Sequence, residues 1–158
     1  MRRLYAFSIV AIFMLTTLAW AESVKIKGMP VKIGDTVEDV QKALNTKLEP
    51  EKSISNMPSS PFDANKKKTE LHLKTKGIWI FFEKGKVYTV RMDKPFSGSI
   101  GGVKIGDPSD KIEKTLGPAV NKGKFGFYDT FTYYFDDQTT TRFDVNQDDE
   151  IQSILFMK

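Results

Sequence analysis

Few side chains in this sequence have the chemistry and the spacing of a catalytic site. His72 is the only histidine, and the chain contains no cysteine. This histidine stands between Leu71 and Leu73 in an alternating, strand-like segment, where a surface position explains it. No serine is placed with a base and an orienting group, so neither nucleophilic catalysis nor a metal centre is predicted. We therefore expect a protein that is not an enzyme and that needs no cofactor.

The acidic segment 144–150 has part of the ligand pattern of a calcium loop. Three side chains reproduce the first, third and fifth ligand positions: Asp144, Asn146 and Asp148. Asp149 then stands where the loop needs glycine, and Leu155 stands where it needs a bidentate glutamate. The pattern thus favours an acidic hairpin turn between Asp144 and Glu150. The sequence leaves open whether this turn and Asp136-Asp137 together bind a cation.

Aromatic residues are the more informative feature. In the segment 78–82, Trp79 and Phe81 alternate with apolar residues that point to the opposite face. A sheet covered by helices on one face normally has polar residues on its second face. Aromatic residues there predict a partner-binding surface, made of Trp79, Phe81, Tyr88, Phe127, Tyr128 and Tyr134. The same pattern also fits a sheet that is buried on both faces, under helices on one side and against a sister repeat on the other.

The first 21 residues have the layout of a secretory signal peptide. A positive start at Arg2 and Arg3 is followed by the mostly apolar segment 4–18 and by Ala19-Trp20-Ala21, an A-x-A cleavage site. The apolar segment is shorter than the ~20 residues of a membrane-spanning helix. We expect cleavage after Ala21 and a soluble mature protein, either periplasmic or secreted.

A short motif occurs twice and predicts a tandem repeat. Val31-Lys-Ile-Gly-Asp35 recurs as Val103-Lys-Ile-Gly-Asp107. Apolar residues at helical spacing follow each copy, so Asp35 and Asp107 are interpreted as helix N-caps. Three strand-like segments follow each helix, with a loop predicted within 53–68 of the first copy.

These elements predict an α+β fold class, with two tandem helix-plus-three-strand antiparallel units sharing a sheet or core. The predicted boundaries are a signal peptide at 1–21, a first α+β repeat at 22–94 and a second at 95–158. One unit alone has a marginal core, and this is why a shared sheet or interface is expected.

The repeated motif and the strands after it resemble one known superfamily. The second copy runs from V-K-I-G-D through a helix ending at Gly117-Pro118, an aromatic strand with Tyr134, and Phe143-Asp144 before a closing strand. This pattern is similar to the SmpA/OmlA (BamE) and beta-lactamase inhibitory protein superfamily, although Gly117-Pro118-Ala119 stands where that family has Gly-x-Pro. Two such units in tandem look like the inhibitory protein. The resemblance implies paired sheets that present a concave, aromatic-rich face to a partner enzyme.

Composition adds little evidence for a charged partner. The chain has 24 basic and 20 acidic residues, and two of the basic ones lie in the expected signal peptide, so nucleic acid binding is not predicted. The sequence predicts a non-catalytic periplasmic or secreted binding protein of inhibitor, immunity or envelope-assembly type. Its partner would be another envelope or secreted protein. The alternative is a small-ligand or ion carrier that uses the acidic turns and a glycine-bearing aromatic loop, predicted around Phe125, Phe127 and Tyr128.

Overall fold

The computed structural model describes residues 26–53, 68–135 and 139–158. The expected signal peptide, the interior of the predicted loop 53–68 and the Asp136-Asp137 pair lie outside the described residues. Two helices are described, α1 (Val37–Leu44) and α2 (Asp110–Leu116), and neither is long and apolar enough to cross a membrane. The described strands are β1 (Ile26–Lys27), β2 (Glu51–Lys52), β3 (Lys68–Leu73), β4 (Ile78–Glu83), β5 (Lys86–Asp93), β6 (Ser99–Ile100), β7 (Asn121–Phe125), β8 (Tyr128–Tyr134), β9 (Thr140–Val145) and β10 (Ile151–Met157).

Eight of these strands form one antiparallel sheet in the order β2-β3-β4-β5-β10-β9-β8-β7. The chain builds β2 to β5 as a meander, crosses to the far edge and returns through β7 to β10. The two meanders meet in the middle, where β5 pairs with β10 and Val90 stands opposite Phe156. A separate two-stranded sheet joins β1 to β6 and places Lys27 opposite Ser99.

The predicted α+β class with helix-plus-three-strand units is wrong. The described structure is mostly β, with two helices of 8 and 7 residues beside one large sheet. Each half contributes four strands to that sheet, because β2 and β7 add to the three that the sequence indicates. Both extra strands are edge segments whose residues are all exposed, so they lack the alternation of apolar and polar residues that reveals a strand.

The repeated V-K-I-G-D motif forms the same turn in both halves. The carboxylate of Asp35 accepts a hydrogen bond from the Lys32 amide at 2.7 Å, and Asp107 does the same with Lys104 at 2.8 Å. The backbone of each motif also forms a hydrogen bond with the strand of its own half that lies at the centre of the sheet, β5 or β10. The amide of Gly34 donates to Val87 and that of Gly106 to Ile151, both at 2.8 Å. The motif therefore fastens the chain before each helix to β5 or β10.

The interpretation of Asp35 and Asp107 as helix N-caps is wrong. Thr36 caps α1 in a capping box: its hydroxyl accepts from the Asp39 amide at 3.3 Å, and the Asp39 carboxylate accepts from the Thr36 amide at 3.2 Å. Ser109 occupies the corresponding position of α2 and makes no side-chain capping bond. Asp35 and Asp107 instead use their carboxylates to close the turn that comes before each helix.

The core lies on one face of the eight-stranded sheet, here called the inner face. Val40 of α1 and Ile112 of α2 are fully buried and belong to the same apolar cluster as the strand side chains of this face. Those strand residues include Ile80, Phe82, Val90, Met92, Phe143 and Ile154, each with no exposed surface. Burial of this continuous apolar layer drives folding and fixes which face of the sheet remains available to solvent.

Candidate functional site

The face of the sheet opposite the core, here called the outer face, carries the candidate site. In β4, buried Ile78, Ile80 and Phe82 alternate with partly exposed residues that include Trp79 and Phe81. The two halves of the sheet lie edge to edge through β5 and β10, so neither half covers the outer face of the other. The alternative that Trp79 and Phe81 are buried against a sister repeat therefore does not describe this fold.

Four ring side chains form one cluster on the outer face of β3, β4 and β5, here called the β4 aromatic cluster. His72 and Trp79 are cross-strand neighbours, and their rings stack with centroids 3.3 Å apart and planes inclined by 16°. Trp79 and Phe81 have nearly parallel rings with centroids 6.5 Å apart, and Tyr88 adds a tilted ring 6.4 Å from Phe81. Three of the predicted partner-binding residues are thus brought together, and His72 joins them.

The titratable members of this cluster are uncharged at neutral pH. Burial, with a contribution from the ammonium of Lys74, lowers the pKa of His72 below its ordinary value. Burial also raises the pKa of the Tyr88 hydroxyl, and the negative charges of Glu83 and Glu70 raise it further. The four rings therefore carry no charge of their own, and the Lys68 ammonium lies 5.8 Å from the centre of the Tyr88 ring.

The other predicted binding residues lie at the far side of the sheet. Phe127 is the most exposed large apolar side chain described, at 86%, and it lies with Gly126 in the turn between β7 and β8. Tyr128 begins β8 opposite Phe125, which is also exposed. Tyr134 ends β8 and is 58% exposed. The segment that the sequence suggested to be a loop is therefore a hairpin, because β7 is an exposed edge strand with glycine at its centre.

These groups do not form one continuous aromatic surface. Strand pairing places Tyr134 on the same face as Phe81, but four strand spacings, about 19 Å, separate β4 from β8. Tyr128 and Tyr134 stand at opposite ends of β8, about 20 Å apart. The predicted site therefore divides into the β4 aromatic cluster, the tip of the β7–β8 hairpin and Tyr134.

A polar network fills the middle of the outer face. Arg142 donates to the Asp144 carboxylate through Nε at 2.7 Å and through Nη2 at 3.1 Å, and the Ser153 hydroxyl donates to the same carboxylate at 3.0 Å. The guanidinium of Arg142 also lies 4.7 Å from the centre of the Phe125 ring. Asp144 and Ser153 are buried, so this network is a fixed part of the sheet.

A second arginine–aspartate pair repeats this arrangement on the neighbouring half. The Nε of Arg91 donates to the Asp93 carboxylate at 2.9 Å, and Arg91 stands directly opposite Trp79 in the sheet. The sequence reasoning missed both pairs. The available signal was the spacing Arg-x-Asp inside two strands, because residues two apart share one face and can pair along it.

The acidic turn after β9 is held by its own hydrogen bonds. The side-chain oxygen of Asn146 accepts from the amides of Asp148 and Glu150, both at 3.0 Å. Asp144 points to the outer face, where Arg142 and Ser153 bind its carboxylate. The first and third residues of the calcium-like pattern therefore serve two separate structural roles, and among the described residues no group of three acidic or histidine side chains is placed to hold a metal ion.

Two solved structures are similar to this chain. One is a DUF4309 family protein (YjgB) from Bacillus subtilis subsp. subtilis str. 168, with 16% identity, 78% of each chain covered and a TM-score of 0.47. The other is an extracellular protein containing a SCP domain from Bacillus anthracis str. Ames, with 11% identity and a TM-score of 0.47. That similarity covers 80% of this chain and 44% of the other. No protein-family model and no curated protein matches the sequence.

Neither solved structure is described as a SmpA/OmlA-type or inhibitory protein. The resemblance to that superfamily stays a prediction.

Proposed function

We propose that this protein is a non-catalytic binding protein that docks a partner protein through the outer face of its sheet. The observation that carries the proposal is the β4 aromatic cluster, in which Trp79, Phe81 and Tyr88 lie together on a face away from the core. Clustered aromatic residues are the side chains most often responsible for protein–protein affinity.

The chemistry of the outer face supports a protein partner over a charged polymer. Each arginine described in the middle of this face is already paired, Arg91 with Asp93 and Arg142 with Asp144. A nucleic acid or another polyanion needs cations that are free to replace its counterions. An apolar cluster beside neutralised ion pairs instead has the composition of a protein interface, with an aromatic centre and a polar surround.

The geometry of the rings supports a protein partner over a sugar. The imidazole of His72 covers one face of the Trp79 indole, so that ring face is unavailable for stacking. Trp79 and Phe81 follow each other along β4 with planes only 6° apart, and they stand opposite residues of β3 and β5 rather than alone at an edge. Such rings fit into the pockets of a complementary protein surface.

The size of the outer face is adequate for a specific complex. Eight strands at ordinary spacing give a width of about 34 Å, and all of them except the two-residue β2 have five to eight residues, a length of about 20 Å. The resulting area, roughly 700 Å², is close to the ~800 Å² that each partner contributes to a standard interface.

The proposed place of action is the periplasm or the extracellular space. It is supported by the leader-like residues 1–21, whose charged start, apolar segment and A-x-A ending are typical of signal peptides. The proposed role is that of an inhibitor, an immunity protein or an envelope-assembly factor, and the resemblance of residues 103–156 to the SmpA/OmlA superfamily supports a role in that group.

The proposal is tested by comparing capture of partners by matched variants. Immobilised mature protein is incubated with envelope extract and culture medium of the source organism, in parallel with the variants Trp79→Ala and Val120→Ala. Val120 is exposed at 63% and lies just before β7, at the edge of the sheet far from β4, so it serves as the control. We expect one protein to be retained by the wild type and by Val120→Ala and to be lost with Trp79→Ala. Equal retention by all three, with all three folded, would contradict the proposal.

A further inference from the structure

A cavity of about 480 Å³ lies at the end of the sheet where the two halves are linked. Its walls come from the two-stranded β1–β6 sheet, the helical turn Lys74–Lys76 after β3, and the segment 95–98 after β5. Ile78 on the inner-face side of β4 contributes to its floor. The cavity is therefore distinct from the outer face, and its size is in the range of sites for small organic ligands.

The lining of this cavity is basic. Lys27, Lys76 and Lys104 contribute to it, and no aspartate or glutamate does. The ammonium of Lys76 donates to the carbonyl of Leu44 at 3.0 Å, which leaves two of its three N–H groups for another acceptor. Within the described residues, Lys27 and Lys104 form no ion pair, although the charge of Lys104 acts on Asp107 at longer range. Three lysines without an acidic residue in the lining favour an anion there.

Hydroxyl groups complete the polar lining. Thr75, Ser97 and Ser99 lie in the same cavity wall as the lysines. Ser99 is only 7% exposed and stands directly opposite Lys27 in the β1–β6 pair, so both side chains project from the same face of that small sheet. Its hydroxyl makes no hydrogen bond with any described residue. A buried hydroxyl without a partner is costly, so an acceptor or donor that enters the cavity would satisfy it.

We propose that this cavity binds the phosphate group of a phosphomonoester. Lysine binds phosphate as a point charge, and several lysines with hydroxyls around one cavity suit a tetrahedral group with several oxygens better than a planar carboxylate. Phe96 and Ile78 give the lining an apolar side that accommodates the organic part of the ligand. The phosphate reaches the cavity either on a soluble small molecule or on a lipid headgroup.

The experiment measures binding to the full mature protein by titration calorimetry, with phenyl phosphate as the soluble probe and phosphatidic acid vesicles as the lipid probe. Benzoate and phosphatidylcholine vesicles are the matched probes without a phosphomonoester. We expect saturable binding of phenyl phosphate or of the phosphatidic acid vesicles, weakened at high salt. The probe that binds identifies the source of the phosphate.

Variants connect the binding to this cavity. Lys27→Gln and Ser99→Ala are each expected to lower the affinity for the probe that binds about tenfold. The thermal midpoint of both variants is recorded to check that they are folded. Lys124→Gln is the charge-matched control, because Lys124 lies on β7 at the other edge of the sheet. Binding of neither phosphate probe, benzoate binding as tight as phenyl phosphate, or equal loss in Lys124→Gln and Lys27→Gln would each overturn the proposal.

Discussion

The imidazole of His72 stacks on the indole of Trp79 with ring centroids 3.3 Å apart. The two residues come from neighbouring strands and stand directly opposite each other, so the contact is part of the sheet register. This stack holds Trp79 in one orientation on the outer face. A side chain that is already ordered loses less conformational entropy when a partner binds it.

Because His72 stacks on Trp79, the pKa of His72 depends on the environment that Trp79 provides. Burial lowers its pKa, so we expect a histidine resonance that titrates below the ordinary value of ~6.5. Trp79→Ala admits water to the imidazole and should move the pKa up toward that value. His72 is the only histidine, so a proton NMR titration reads it directly. An unchanged pKa in Trp79→Ala would contradict the stacked arrangement.

The same shift predicts how stability depends on pH. The folded protein binds a proton at His72 less readily than the unfolded chain does, because its folded-state pKa is lowered. This contribution to the free energy of unfolding is complete above pH ~6.5 and is lost as the pH falls through the folded-state pKa. Urea melts between pH 5 and 7.5 should show the loss in the wild type and a smaller loss in His72→Phe. Identical pH profiles would show that His72 is not responsible.

The two arginine–aspartate pairs of the outer face should differ in their contribution to stability. The Asp144 side chain is 7% exposed and its Arg142 partner 21%, whereas Asp93 and Arg91 are 19% and 41% exposed. Removing one member of a buried pair leaves an uncompensated charge, so Asp144→Ala should lower the free energy of unfolding by about 3–5 kcal/mol.

Asp93→Ala is the matched control for this pair. Arg91, the partner of Asp93, is exposed enough to remain hydrated, so we expect the free energy of unfolding to fall by no more than about 1 kcal/mol. Urea melts of both variants at neutral pH provide the comparison. Equal losses in the two variants would show that the network around Asp144 and Ser153 does not stabilise the sheet more than a surface pair does.

Asp107 in the turn before α2 and Asp110 at the start of α2 provide a second comparison. Asp107 accepts from the Lys104 amide and from the Lys111 ammonium, both at 2.8 Å, while Asp110 makes only an exposed pair with Lys114. Burial alone raises the pKa of Asp107, but these hydrogen bonds outweigh it and lower the pKa. Asp107→Ala should therefore destabilise the protein by about 1–3 kcal/mol, against at most about 0.5 kcal/mol for Asp110→Ala.

The stabilising effect of Asp107 should also disappear in acid. Because its folded-state pKa is lowered, the contribution is complete above the unfolded value of 3.8 and is lost as the pH falls through the folded-state pKa. The difference in unfolding free energy between the wild type and Asp107→Ala should therefore shrink in melts taken below pH 4. If the difference in unfolding free energy persisted in strong acid, packing of the Asp107 side chain would be its cause instead of the carboxylate charge.

Strand faces could be predicted from the sequence where one face is buried. The alternation from Ile78 to Phe82 predicted the correct buried face of β4, because apolar residues at every second position indicate which face of a strand is buried. Strand β7 could not be predicted, since all its residues are exposed and its pairing with β8 is held by backbone hydrogen bonds. The extra edge strands are the reason that the predicted fold class failed.

The candidate site was predictable only in part. The sequence identified Trp79, Phe81 and Tyr88, which the fold brings together, but their separation from Tyr134 depends on the order of strands across the sheet. The V-K-I-G-D repeat is visible in the sequence, yet the helix cap proved to be Thr36. Asp35 and Asp107 precede α1 and α2 by two and three residues, where a carboxylate that closes a turn has the same sequence signature as one that caps a helix.

Close backbone packing at Gly77 gives a third comparison. This residue has φ of +63°, and a Cβ there would overlap the carbonyl oxygen of Asp93. Gly85 also has positive φ, at +76°, but a Cβ there would meet open space. Gly77→Ala should lower the free energy of unfolding by about 2–5 kcal/mol, because backbone strain and steric overlap add together. Gly85→Ala should lower it by about 1–2 kcal/mol, from backbone strain alone. Thermal melts of both should rank them in that order, and the reverse order would contradict the packing around segment 93–96.

The most direct test of the proposed function is a paired measurement on Trp79→Ala, using the partner retained in the capture experiment. We expect binding to weaken about thirtyfold, or ~2 kcal/mol, while the free energy of unfolding falls much less than in Phe82→Ala, where a fully buried ring is removed. In Phe82→Ala the free energy of unfolding should fall by about 3–5 kcal/mol. A fall in Trp79→Ala as large as that in Phe82→Ala, with partner affinity unchanged, would contradict a binding role for the β4 aromatic cluster.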